Sequence, residues 1–128
     1  GTSVQQKGSN ITGKRLRFDF SHDCALTEAE ITDVLAQINE WIAADLPVAK
    51  KIQQKEAALE SGALAFFGEQ YPDEVSVYTI GGEQDWISRE LCGGPHVTNT
   101  AEIGQLAFIK QQAVAAGVRR IYLQVESP

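Results

Sequence analysis

Cys92-Gly93-Gly94-Pro95-His96 joins a thiol and an imidazole through a backbone able to fold sharply between them. Two glycines followed by proline permit such a bend, so sulfur and ring nitrogen can converge on one point. Three readings are open. The pair could give two of the about four ligands that zinc takes, with His22, Asp23, Cys24 and solvent as further candidates. Cys92 could instead be a nucleophile with His96 as its base, although such pairs usually come from distant segments and no third, orienting group is apparent. Or Cys92 is a small buried hydrophobe at a strand end and His96 a hydrogen-bonded turn residue, the glycines serving the turn alone. His22 follows a core-facing strand, where a structural histidine bonded to backbone is the first expectation, and Cys24 reads as a core thiol.

These residues need elements to hold them. Residues 16–20 alternate apolar and polar side chains as a half-buried strand does, and the turn signals before them put Ile11 on a connector or a preceding strand. A helix is expected over residues 27–44: Thr27 and Glu30 form a capping box, Leu26 can staple onto Ile31, and Ile31, Val34, Leu35, Ile38 and Ile42 recur at helical spacing. It should stop near Asp45, ahead of Pro47. Residues 48–52 suit a short edge strand, and residues 56–61 a helix closed by Gly62. Residues 63–67 fit helix or strand equally. Further strands are expected at residues 75–80, at 86–91 leading into Cys92, at 103–109 and at 119–125. Strands and helices without regular alternation point to an α+β fold, a mixed or antiparallel sheet packed against helices. No linker, repeat or low-complexity stretch suggests an internal boundary within residues 1–128.

Length and composition, with 43% hydrophobic and 22% charged residues, fit one soluble globular domain. A net charge of -6 argues against a dedicated nucleic-acid binder, while leaving room for local phosphate contact at Lys14, Arg15 and Arg17, at Lys50, Lys51 and Lys55, or at Arg119 and Arg120. Two cysteines make no disulfide framework, and there is neither a signal peptide nor an apolar stretch of membrane length. A cytoplasmic setting without a membrane partner is expected, with Cys92 a free thiol. Methionine is absent, so the chain is expected to begin at a cut or processed end, and Gly1-Thr2-Ser3 could be foreign to the natural protein.

Ordered motifs then run through nearly the whole chain: Gln6-Lys7-Gly8-Ser9, Leu16-Arg17-Phe18-Asp19-Phe20-Ser21-His22, residues 62–71, Glu90-Leu91-Cys92-Gly93-Gly94-Pro95-His96-Val97, Asn99-Thr100-Ala101-Glu102-Ile103-Gly104 and Ala116-Gly117-Val118-Arg119-Arg120-Ile121. In this order they resemble the editing domain of alanyl-tRNA synthetases and its freestanding relatives. Many members carry threonine where Pro95 stands, and proline there is also similar to the editing domain of threonyl-tRNA synthetase; the segment from Gly117 to Ile121 favours the alanyl branch. The resemblance implies a threonyl/alanyl editing-type fold, with Cys92 and His96 as two zinc ligands, Gln6 lining the pocket and Thr100 near the substrate's amino acid. It implies hydrolysis of the ester joining serine or glycine to mischarged alanine tRNA, within an alanine-tRNA ligase, with zinc polarising the ester or activating water. A freestanding editor and a noncatalytic tRNA-binding or interaction module are the alternatives. The family's other two zinc ligands come from a histidine-x-x-x-histidine helix upstream of the glutamine-lysine-glycine segment. Residues 1–128 are therefore expected to be the later part of the domain, holding zinc weakly or not at all and able to self-associate through the surface left by that helix.

Overall fold

The computed structural model describes residues 4–65, 70–94 and 96–126. Among them run β1 (Gln6–Thr12), β2 (Arg15–Ser21), α1 (Glu28–Ala43), β3 (Val48–Gln54), α2 (Lys55–Glu60), β4 (Glu74–Ile80), β5 (Ser88–Leu91), a 3-10 turn (Thr100–Ile103), β6 (Leu106–Ala115) and β7 (Val118–Val125). The strands pair antiparallel in two sheets, ordered β1-β2-β7-β6 and β3-β4-β5, and the helices make this an α+β chain. Although no linker marks a boundary in the sequence, the chain forms two compact units. One is built from the residues up to Ala43 and from Ile103 onward, the other from Ala44–Glu102. No helix among the described residues is long and apolar enough to cross a membrane.

In the first unit, side-chain alternation along β2 places Leu16, Phe18 and Phe20 on one face, opposite Leu123, Ile121 and Arg119 of β7. Ile42 of α1 is buried against Leu106 and Leu123, with Leu35 and Ile38 beside it. The helix starts where its capping box dictates: the Thr27 hydroxyl accepts the Glu30 N–H at 3.1 Å and the Glu30 carboxylate accepts the Thr27 N–H at 2.9 Å. Two amide side chains tie it to β6. Asn39 donates to the Leu106 carbonyl at 3.0 Å and accepts its N–H at 2.8 Å, and Gln111 binds the N–H and carbonyl of Leu26 at 2.8 and 2.9 Å. Leu26 and Ile31 border one apolar depression with Val34, Leu35 and Phe108, consistent with the expected staple. Val34 departs from the expectation of burial: it is 45% exposed, because it stands at the open rim of that depression.

The second unit buries Val75 and Val77 of β4 with Leu91 of β5 and Ala58 of α2. β3 lies at the sheet edge, as its two lysines suggested. Two strand expectations are corrected. β5 starts at Ser88, two residues after Trp86, because residues 81–87 form a loop closed by the Ile87 N–H on the Ile80 carbonyl at 2.8 Å. The expected strand at 103–109 begins at Leu106, after the 3-10 turn and Gly104, whose φ of 79° breaks the extended run. Of the ambiguous residues 63–67, Leu64 makes an isolated parallel bridge to Glu90, and Phe66 and Phe67 lie outside the described residues.

Replacing Thr27 with alanine removes one half of the capping box. We expect Thr27→Ala to cost about 1 kcal/mol, read as a lower urea midpoint at unchanged slope, and Thr27→Asp to restore most of it. An unchanged midpoint in the alanine variant would show that the cap does not anchor α1.

Candidate functional site

The register of β4 against β5 determines what surrounds Cys92. Val77 pairs with Leu91 on the buried face, so Tyr78 and its partner Glu90 point to the opposite face. The Cys92 N–H continues the ladder by donating to the Ser76 carbonyl at 3.1 Å, which puts Cys92 on the same face as Tyr78 and Glu90. The chain then turns. The Gly94 N–H donates to the Cys92 sulfur at 3.4 Å.

Tyr78 holds this turn from below. Its hydroxyl donates to the Gly94 carbonyl at 3.0 Å, and its ring stacks on the His96 ring with centroids 3.9 Å apart and planes 25° from parallel. One side of the imidazole is thereby removed from water while the residue stays exposed on the other. This partial burial lowers the His96 pKa, against the opposing pull of the Glu90 carboxylate, and so favours the neutral ring.

Beyond His96 the chain is secured again. The Val48 N–H donates to the Thr98 carbonyl and the Thr100 N–H to the Leu46 carbonyl, both at 2.9 Å. The Glu102 carboxylate gathers the Thr98 hydroxyl at 2.7 Å and the N–H groups of Thr98 and Asn99 at 2.8 and 2.7 Å, and these bonds lower its pKa, the Thr98 hydroxyl first. Thr100 is 4% exposed and its hydroxyl oxygen accepts the Leu46 N–H at 2.8 Å.

The expected site residues thus fall as follows. Cys92, His96 and Thr100 lie in the second unit, on one anchored stretch. Gln6 lies in the first unit at the start of β1, its side-chain amide donating to the Ser9 hydroxyl at 3.2 Å. Pro95 is outside the described residues. Cys24 is exposed rather than in the core, its sulfur 4.0 Å from the His22 Nε2, because the chain leaves the sheet after Ser21 before α1 begins. The His22 backbone N–H is bonded to the Gly117 carbonyl at 3.0 Å. Arg120, one of the residues considered for local phosphate contact, makes a salt bridge to Asp19 at 2.7 Å. Tyr78 and Glu102 carried no signal as single residues in sequence; only strand register and the later turn connect them to His96.

Residues 75–122 match the family described as Threonyl and Alanyl tRNA synthetase second additional domain. The alanine-tRNA ligase of Treponema pallidum is 53% identical over 94% of this chain, that of Treponema denticola 51% over 98%, and the alanine-tRNA ligase 1 of Lachnoclostridium phytofermentans 49% over 94%. The chain belongs to the alanyl-tRNA synthetase editing-domain family. It spans 19%, 20% and 13% of the lengths of those three relatives. The two antiparallel sheets with their helices are consistent with this family's fold.

The Glu102 bonds give a pH test. A carboxylate with a lowered folded pKa stabilises the fold fully above its unfolded value, about 4.3, and loses that contribution as pH falls through the lower folded value. We expect the thermal midpoint of Glu102→Gln to lie below that of the original chain at pH 7 and to converge with it as pH drops below about 4. A gap that stays constant from pH 7 to acid would show that the charge of Glu102 does not hold the loop.

Proposed function

We propose that this chain forms part of the pocket in which an alanyl-tRNA synthetase hydrolyses alanine tRNA carrying serine or glycine in error. The observation that carries the reading is the Cys92 to His96 turn, secured at both ends on the β4-β5 pair, in a chain so similar to alanine-tRNA ligases. Editing answers a physical need, since binding discriminates poorly among side chains as small as those of glycine, alanine and serine.

A thiolate and a neutral imidazole suit zinc, and Cys92 and His96 are its proposed ligands. Among the described residues no group of three or more candidate metal ligands comes together, so these two donors do not complete a site. What the chain's own residues do is hold the reacting region. Tyr78 fixes the imidazole and the Gly94 carbonyl, and Thr100 fixes the segment at Leu46 through its hydroxyl oxygen. Thr100 or Gln6 is the proposed hydrogen-bond partner of the substrate's serine hydroxyl, whereas glycine would be admitted by size.

The test is release of serine or glycine from mischarged alanine tRNA by the intact protein containing this chain. We expect release above background, and a loss of more than about tenfold on Cys92→Ala or His96→Ala. A folded, zinc-loaded protein without release would make the domain a noncatalytic tRNA-binding module. For the 128-residue chain alone, dialysis should leave far less than one zinc per chain, because two ligands give too little binding energy to keep the metal. Near-stoichiometric zinc in a species of monomer mass would show that further ligands had been recruited within the chain.

A further inference from the structure

The net charge of -6 conceals a basic sheet face. β2, β6 and β7 carry Arg15, Arg17, Lys110 and Arg120 on the face away from Leu16, Phe18 and Phe20, where the strands' single acidic residue is Asp19, while Arg119 lies on the other face opposite Phe20. Cross-strand register puts Arg17 opposite Tyr122 and Tyr122 opposite Lys110, with Arg15 one step along, all on the face away from Leu16, Phe18 and Phe20. Asp19 is committed to Arg120, which grips it with two hydrogen bonds of 2.7 and 3.0 Å, and it lies 3.7 Å from Arg17. That leaves the face strongly positive. Arg15 and Lys110 have no carboxylate partner among the described residues; their cationic groups lie 5.9 and 4.9 Å from the centroid of the Tyr122 ring. The Arg17 Nε is buried without an acceptor among the described residues.

We propose that this face binds the phosphate backbone of RNA. The inference rests on the editing reading for its partner, and on charge and geometry for its place. Cations held beside one another on a rigid sheet repel, and a polyanion relieves that repulsion while releasing its own counterions. Tyr122 keeps Arg15 and Lys110 extended over the sheet, so less freedom is lost on binding, and guanidinium forks match phosphate oxygens. The contact is to phosphate rather than base, because the cations already occupy the ring on which a base would stack. An acidic protein surface fits less well, since the ring at the centre of the face, Tyr122, already carries the cationic groups of Arg15 and Lys110 and is not free to anchor a protein interface.

The experiment is titration of the intact protein with alanine tRNA over a range of salt concentrations. Arg15→Gln with Lys110→Gln should weaken binding about tenfold or more at low salt and flatten the plot of log affinity against log salt by about 0.7 to 0.9 per lost phosphate contact. The loss should be equal for an unrelated tRNA, and Arg15→Lys with Lys110→Arg should keep both affinity and slope. In the original protein, bound tRNA should shield Lys110 from amine acetylation, a readout that needs no variant. Unchanged affinity and slope in the glutamine variant, an unshielded Lys110, or loss of an acidic protein partner with RNA binding intact would each overturn the proposal. A protein that binds RNA through this face but releases no amino acid would sink the editing reading alone. One that deacylates while the glutamine variant binds undiminished would sink this proposal alone.

Discussion

The candidate site depends on the register between β4 and β5. Val77 is 2% exposed and faces Leu91 across the ladder; the next residue, Tyr78, must then point the other way, beside Glu90. A slip of one residue would send the tyrosine into the core and the valine into solvent, and burial of Val75 and Val77 excludes it. Because Cys92 is tied to Ser76, the same register sets where the turn begins. Packing of two valines thus determines that a tyrosine ring lies beneath His96, which makes an apolar core the cause of a polar arrangement some distance from it.

The first unit shows the same separation of faces with another outcome. Its apolar side takes α1, secured by Asn39 and Gln111 rather than by loose contact. Its other side holds Asp19, 7% exposed under Arg17 and Arg120. Gly8 of β1 lies close enough that a Cβ there would stand 3.3 Å from the carboxylate, so a side chain at this position would press on the ion pair. Hydrogen bonding to Arg120 is the main cause of the low Asp19 pKa, which keeps the carboxylate charged and its neighbours oriented.

Much of this was legible in the residues alone, where causes are local. Thr27 and Glu30 announce α1 because a capping box needs only four consecutive residues, and the alternation from Leu16 to Phe20 announces β2 because one face is buried. Other features depend on partners remote in sequence. Trp86 looked like part of a strand, yet the loop back to Ile80 takes it out of the ladder and sets the Arg89 guanidinium over its ring at 4.8 Å. Ile103 looked like a strand residue, but Glu102 draws the preceding backbone into a turn. Cys24 looked apolar enough for the core and lies outside it. The motif from Cys92 to His96 was visible by composition; its support by Tyr78 was not, since nothing near residue 78 refers to residue 96.

On this geometry the turn is preformed, with His96 fixed on Tyr78 before any ligand arrives. The most direct measurement is the proton spectrum of the His96 ring in the unliganded chain, assigned by comparison with His96→Gln. We expect ring protons shifted upfield by the tyrosine beneath them, cross-relaxation between the two rings, and loss of both effects in Tyr78→Leu while Val77 stays protected in the core. Ring protons at free-histidine positions in the folded original chain, without contact to Tyr78, would contradict it.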